Sequence, residues 1–169
     1  MAETVYLLLG SNIGDRERNL ELALRSLTEL EGFEITATSS IYVSEAQEMK
    51  GENPSFLNQV IKGDYQYPAL ELLHALEHIE IGLGRTDKGL KQARTIDCDI
   101  LLFGNHIIKG EKLTVPHRRL LERPFAMVPL LEIDPQLTHP SVRKPIASFL
   151  TDRDRQTVLL YREHVARNV

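Results

Sequence analysis

The run Ile96-Asp97-Cys98-Asp99-Ile100-Leu101-Leu102-Phe103 limits most tightly what this chain can fold into. Its length and its apolar tail suit a central strand, where Asp is disfavoured. In a strand of period two, Asp97 and Asp99 leave from the same face, roughly 6.6 Å apart along the chain. Two neighbouring carboxylates repel each other and are costly to bury unless a cation compensates them. Hard oxygen ligands at this spacing suit Mg²⁺, which takes one or two carboxylates together with substrate phosphates. A solvent-facing strand end carrying two inert acids is the bland alternative, and the apolar run behind the pair argues against it.

The rest of the chain allows one core around such a strand. At 169 residues, 42% apolar and 26% charged, folding should bury about 70% of the unfolded surface. Neither repeats nor a Pro/Gly/Ser linker divides it, so residues 1–169 are expected to form a single domain. Twenty basic against 24 acidic residues leave a net charge of −4. Bulk binding to nucleic acid is therefore not expected, although a local basic site is compatible with that balance. Cys98 is the single cysteine, and no Cys/His cluster has zinc-ligand spacing. The N-terminus lacks a positive n-region, and no run approaches the roughly 20 apolar residues that span a bilayer. No membrane association, a cytoplasmic location and a monomer are the expectations.

Periodicity gives the order of elements. Thr4 to Leu9 reads as a buried strand, and Asp15 as the N-cap of a helix carrying Leu20, Ala23, Leu24, Leu27 and Leu30. Phe33 to Tyr42 alternates as a strand. Residues 43–55 read as a long loop, and such loops inside compact domains are often functional. Phe56 to Tyr65 is the next strand. Pro68 suits the first turn of a helix carrying Leu70, Leu73, Leu76 and Ile79. A charged, Gly-containing loop from Gly82 to Thr95 leads into the strand with the Asp pair. Ile107 to Val115 reads as a hairpin turning at Lys109-Gly110. Short helical pieces broken by Pro124, Pro129 and Pro135 follow, then an apolar run from Val158 to Tyr161. This β-α-β-β-α-β order is the ferredoxin-like arrangement, an α+β antiparallel sheet with both helices on one face and C-terminal additions. Many functions share it.

Basic residues stand on both sides of the Asp pair. Arg85, Lys88, Lys91 and Arg94 precede it, opposed only by Asp87; Lys112, His117, Arg118, Arg119 and Arg123 follow. Each run alone reads as a solvated surface, and His117 alone as a structural histidine. Flanking paired carboxylates, they are what phosphoryl-type transfer needs to neutralise charge on the migrating group. Familiar phosphate motifs fail: Gly84 to Gly89 has Walker spacing but is followed by Leu90-Lys91, and Gly82-Leu83-Gly84 follows a helix and lacks a third glycine. Nor is there a Gly-x-Ser-x-Gly elbow. Phe56, Asn58 and Phe125 offer two aromatics and an amide for a flat heterocycle, though such aromatics are commonly core residues.

Taken together, these segments resemble the 6-hydroxymethyl-7,8-dihydropterin pyrophosphokinases of folate biosynthesis. The similarity rests on Leu9-Gly10-Ser11-Asn12-Ile13-Gly14-Asp15, Ser40-Ile41-Tyr42, Asn53-Pro54-Ser55-Phe56-Leu57-Asn58 and Gly84-Arg85. It continues through Ala93-Arg94-Thr95-Ile96-Asp97-Cys98-Asp99-Ile100-Leu101, Leu113-Thr114-Val115-Pro116-His117 and Glu122-Arg123-Pro124-Phe125. These occur in family order over roughly residues 4 to 150. The resemblance implies transfer of a pyrophosphoryl group from ATP to the pterin hydroxymethyl oxygen, releasing AMP. It implies that Asp97 and Asp99 hold two Mg²⁺ ions and that Arg85 and Arg94 move in over the triphosphate. Glu77, Glu80, Lys91, Lys112, Thr114, His117, Arg118 and Arg123 fall at nucleotide-contact positions. Phe56 and Phe125 match the aromatic sandwich around the pterin, and Asn58 with the backbone of Ser44, Glu45 and Gln47 its polar edge.

The chain departs from the common family pattern in two places. Leu90-Lys91-Gln92-Ala93-Arg94 stands where many members carry Arg-Trp-Gly-Pro-Arg, and the sequence contains no Trp. Lys91 can supply only a point charge there. Ser44-Glu45-Ala46-Gln47 replaces a Thr-x-Pro turn whose pterin contacts are largely main-chain, so function is expected to survive. Two other readings stay open at this point. An RNA-recognition or other nucleotide-binding module could share this order, but the RNA-recognition module should show exposed aromatics and a basic surface, whereas this sheet carries Asp97 and Asp99. A metal-dependent phosphohydrolase would release free phosphate instead of AMP.

Overall fold

The computed structural model describes residues 2–44, 55–84 and 95–162. In chain order the elements are β1 (Glu3–Ser11), α1 (Arg16–Thr28), β2 (Phe33–Thr38), β3 (Ile41–Ser44), β4 (Phe56–Tyr65) and α2 (Ala69–Gly82). β5 (Asp97–Phe103), β6 (Ile108–Lys109), β7 (Thr114–Val115), α3 (Pro124–Ile133), α4 (Asp152–Gln156) and β8 (Leu159–Arg162) follow. The main sheet runs β5-β1-β4-β3-β8, with β2 also paired to β4 and every pairing antiparallel. β1 takes one edge of β4 over its whole length. β2 and β3 share the other edge, β2 along residues 61–65 and β3 along residues 56–58. Counting β2 and β3 as one broken strand recovers the expected ferredoxin-like α+β order.

That break corrects the reading of Phe33 to Tyr42 as one strand. The strand is interrupted at Ser39-Ser40, where side-chain bonds join the one from the Ser39 N–H to the Val60 carbonyl at 2.9 Å. The Ser39 hydroxyl accepts the Val60 N–H at 2.8 Å and donates to the Ser40 carbonyl at 2.7 Å. The Gln59 amide donates to the Ser39 carbonyl at 3.0 Å. A buried step in the strand thus keeps its backbone groups bonded.

Asp15 caps α1 as expected, accepting the Arg18 N–H at 3.1 Å. Pro68 sits at the N-cap of α2, one position before the first turn. The stripe α2 buries is Ala69, Leu72, Leu76 and Glu80, and Leu70, read as a core position, is 44% exposed. α1 and α2 cover one face of the sheet, packing on Val5, Leu7, Leu9, Leu57, Ile61, Cys98 and Ile100. The other face is covered too. There α3 lays Ala126, Met127, Leu130 and Leu131 on Tyr6, Leu8, Val60, Leu101 and Leu102. A bulge between β1 and β5 turns both Leu101 and Leu102 to that side.

Two further expectations need correction. Pro129 does not break α3, whose first residue is Pro124. Pro129 forgoes the bond to the Phe125 carbonyl, and the burial of its four apolar neighbours offsets that loss. The β6–β7 hairpin turns one step later than Lys109-Gly110, across residues 110–113, closed by the Gly110 N–H on the Leu113 carbonyl at 2.9 Å. Of the segments read as loops, Val43 and Ser44 belong to β3 and Gly82 to α2. Among the described residues no helix is long and apolar enough to cross a membrane.

Two glycines test the packing in opposite directions. A Cβ on Gly63 would lie 2.6 Å from the Phe33 ring and 2.8 Å from the Glu34 carbonyl, so Gly63→Ala should destabilise by about 1–3 kcal/mol. A Cβ on Gly82 meets nothing within 4 Å, so Gly82→Ala at the end of α2 should stabilise by roughly 0.4–1 kcal/mol. Urea unfolding of both variants measures the difference.

Candidate active site

Asp97 and Asp99 stand at the first turns of pleat in β5, half-buried, while Cys98 between them is buried on the α1/α2 face. Alternation therefore puts both carboxylates on the α3 face. They lie opposite Gly10 and Leu8 of β1. Gly10 in turn pairs with Asn58 of β4, and Asn58 with Tyr42 of β3. A Cβ on Gly10 would come 3.3 Å from the Asn58 Oδ1 and 3.5 Å from the Phe56 ring. The missing side chain at Gly10 is what lets Phe56 and Asn58 lean across β1 toward the carboxylates. Asn58 is 2% exposed and donates its Nδ2 to the Ser44 Oγ at 2.7 Å, leaving Oδ1 on the Gly10 side.

The opposite wall comes from the start of α3. Its N-cap residue, Arg123, brings Nη1 to 3.9 Å from the Asp99 Oδ2, and its guanidinium lies 5.5 Å from the Phe125 ring centre. Phe125 is partly buried on the α3-side core, and Phe56 is half-buried at the first position of β4. Neither aromatic is sealed inside the protein. A cleft of about 560 Å³ runs beside Phe125, lined by Val43, Ser44, Ser55 and Pro124 and closed by residues 156–159.

His117 joins this end through its backbone, its N–H donating to the Leu101 carbonyl at 2.9 Å. The Nδ1 accepts the Arg119 N–H at 3.1 Å, which assigns the ring proton to Nε2. Burial, with Arg123, Arg119 and Arg118 close by, pushes the imidazole down to about 4. At neutral pH His117 is thus an uncharged donor. Arg118 is exposed beside it, while Lys112 and Thr114 sit on the β6–β7 hairpin.

On α2, Glu77 is half-buried, and Glu80, only 5% exposed, accepts the Cys98 N–H at 3.0 Å from the outer side of β5. That bond grips the strand between its two carboxylates. The expectations for Glu45, Gln47, Arg85, Lys91 and Arg94 fall outside the described residues. Two contributors had no counterpart in the sequence reading. The Arg16 guanidinium donates to the Ser55 carbonyl at 2.7 Å, at the start of β4. Glu132 binds Ser40 and Tyr42 across the β2–β3 break. An acid near the end of an apolar helix carries no motif that would mark it.

Among the described residues no three His, Cys, Asp or Glu side chains gather as a metal cage. The site instead offers two hard carboxylates, an arginine within ion-pair range, an amide and two accessible aromatic rings. Such a set suits a polyanion carried with divalent metal beside a flat, hydrogen-bonding partner.

Comparison with known proteins agrees with this chemistry. A model of the 7,8-dihydro-6-hydroxymethylpterin-pyrophosphokinase family matches residues 6–135. A 2-amino-4-hydroxy-6-hydroxymethyldihydropteridine pyrophosphokinase of Aquifex aeolicus is 40% identical over 147 residues, covering 86% of this chain and 89% of that protein. A folic acid synthesis protein of Schizosaccharomyces pombe is 38% identical over 156 residues, 92% of this chain but 21% of that protein. The chain thus spans about a fifth to a quarter of such longer relatives. In fold, it matches the wild-type HPPK-DHPS of Plasmodium falciparum with a TM-score of 0.69 at 15% identity, over 88% of this chain and 42% of that one.

The depressed imidazole has a measurable consequence. Unfolded, His117 takes a proton near pH 6.5; folded, it resists until about 4. Its contribution to stability is therefore present above pH 6.5 and lost as the pH falls toward 4. His117→Asn keeps an acceptor for the Arg119 N–H without titrating. Unfolding measured between pH 4 and 7 should show a shallower acid loss in that variant than in the wild type.

Proposed function

Because the chain belongs to the 7,8-dihydro-6-hydroxymethylpterin-pyrophosphokinase family, we propose that it transfers the pyrophosphoryl group of ATP to the hydroxymethyl oxygen of 6-hydroxymethyl-7,8-dihydropterin. One observation carries this reading: the Asp97/Asp99 pair and Arg123 share a sheet face with Asn58 and Phe125. In the reaction, the pterin hydroxyl loses its proton and its oxygen bonds to the β-phosphorus of ATP. The bond from that phosphorus to the oxygen bridging it to the α-phosphate breaks, and AMP leaves with the bridging oxygen. The β,γ unit moves intact.

The described residues divide the work by chemistry. Asn58 binds the polar edge of the pterin with Oδ1, its amide already oriented by Ser44, and Phe56 and Phe125 flank the ring. Arg123, stacked on Phe125 and near Asp99, faces the phosphates. His117 presents an uncharged Nε2–H to the nucleotide. Lys112, Thr114, Arg118 and Glu77 complete its surroundings, with Lys91, Arg85 and Arg94 over the triphosphate and the backbone of Glu45 and Gln47 at the pterin edge. Glu80, matched to a nucleotide contact by resemblance, is instead buried against the Cys98 N–H and holds β5 from behind. Two carboxylates without a third acidic or imidazole donor among the described residues fit Mg²⁺, which draws its other ligands from phosphate and water. Asp97 and Asp99 are the residues we assign to two such ions, which when bound offset triphosphate charge and the charge that builds in transfer. Residues 1–169 act as one cytoplasmic, monomeric domain in this reading.

Assay of AMP with and without the hydroxymethyl pterin tests the proposal. AMP should appear only with pterin; free phosphate in its absence would favour a phosphohydrolase. Asp97→Ala and Asp99→Ala should each abolish turnover in a folded protein, and ordinary turnover in both would remove the Asp pair from the chemistry. Asn58→Ala and Phe125→Ala should weaken pterin binding far more than binding of an ATP analogue, since a buried polar edge is left unpaired. Calorimetry with each ligand separately reads this, and equal losses for both would contradict the assignment.

A further inference from the structure

The two walls of the pterin site belong to different elements, and one side chain ties them together at a distance. Glu132 lies near the end of α3, seven residues and two helical turns beyond Phe125. A spacing of seven returns to the same helix face, about 10 Å further along. Its carboxylate accepts the Ser40 N–H at 3.0 Å, the Ser40 hydroxyl at 2.9 Å and the Tyr42 hydroxyl at 2.5 Å. Ser40 is one of the two buried residues of the β2–β3 break, and Tyr42 is the register partner of Asn58. One carboxylate therefore fixes how far along β3 the α3 helix sits.

We propose that Glu132 is a positioning residue for the pterin, setting the gap between Phe125 on α3 and Asn58 on the sheet. The reasoning rests on the pyrophosphokinase reading of the site. A carboxylate suits the task because three donors converge on it. An amide in its place would offer one oxygen, with at most two good acceptor directions. Burial and the facing carboxylate also push the Tyr42 phenol up, so that it stays a donor throughout the working pH range. A second anchor at the same helix end gives a natural control. Asp134, just past α3, accepts from the Tyr6 hydroxyl of β1 and pairs with the Lys62 Nζ of β4 at 2.8 Å. It secures the helix end without touching β3.

Glu132→Ala, Glu132→Gln, Tyr42→Phe and Asp134→Asn are compared by steady-state AMP release, varying pterin and ATP separately, with the folded fraction checked by thermal unfolding. Glu132→Ala should raise KM for the pterin roughly tenfold, equivalent to about 1.4 kcal/mol of pterin binding. Glu132→Gln and Tyr42→Phe should give smaller increases in the same direction. KM for ATP should stay within about twofold throughout, and Asp134→Asn should leave both KM values near wild type while lowering thermal stability. Loss of folded protein alone lowers the apparent kcat without this split. Equal changes in the two KM values, an unchanged pterin KM in Glu132→Gln and Tyr42→Phe, or the same split in Asp134→Asn would overturn the proposal. Absence of pterin-dependent AMP from the wild type would instead strike at the function itself, so the two failures are distinct.

Discussion

A sheet covered on both faces can be polar only where one of its covers stops. β1 is buried from Val5 to Ser11, with α1 and α2 on one side and α3 on the other. An ionised side chain in the middle of such a sandwich would lose its hydration without compensation. α3 begins at Pro124, and at that end of the sheet β5, β1 and β4 change from Leu102, Leu8 and Val60 to Asp99, Gly10 and Asn58. The site sits there because the apolar cover ends there.

What lies behind the site matters as much as what faces it. The α1/α2 side is continuous under the carboxylates, with Cys98, Ile100 and Leu9 in its core. Glu80 reaches from that side to the Cys98 N–H and holds the strand between its two acids. On the α3 side, Glu132 ties to β3 the far end of the helix whose near end carries Arg123 and Phe125. Elements held by buried bonds set the Asp pair, Arg123, Phe125 and Asn58 in a fixed relation, the kind of arrangement from which positioning would draw catalytic advantage in the proposed reaction.

The parts legible from sequence were those with a strict period or a chemical conflict. The Asp-x-Asp in an apolar strand was one, since alternation assigns both acids to one face. The order of strands and helices was another. The break at Ser39-Ser40 was hidden because Ile35, Ala37, Ser39 and Ile41 alternate as a straight strand would; it exists through bonds to Val60 and Gln59, distant in sequence. Pro129 looked like a breaker, yet tertiary burial carries α3 through it. Leu70 looked like core because a spacing of three fits Leu70, Leu73 and Leu76, while the buried stripe runs through Ala69, Leu72 and Leu76. Glu132 could not be found at all, because its meaning depends on which strand it meets.

In the proposed function, Asp97 and Asp99 are where this sheet face takes up metal-borne phosphate. Calorimetry of a non-hydrolysable ATP analogue, with and without Mg²⁺, tests it in the wild type and in the Asp97→Asn, Asp99→Asn double variant. The wild type should bind the analogue much more tightly with Mg²⁺ present. The double variant should lose that dependence while still binding the pterin. An equal gain from Mg²⁺ in both proteins would contradict the claim, because the metal-borne phosphate would then be held by other residues.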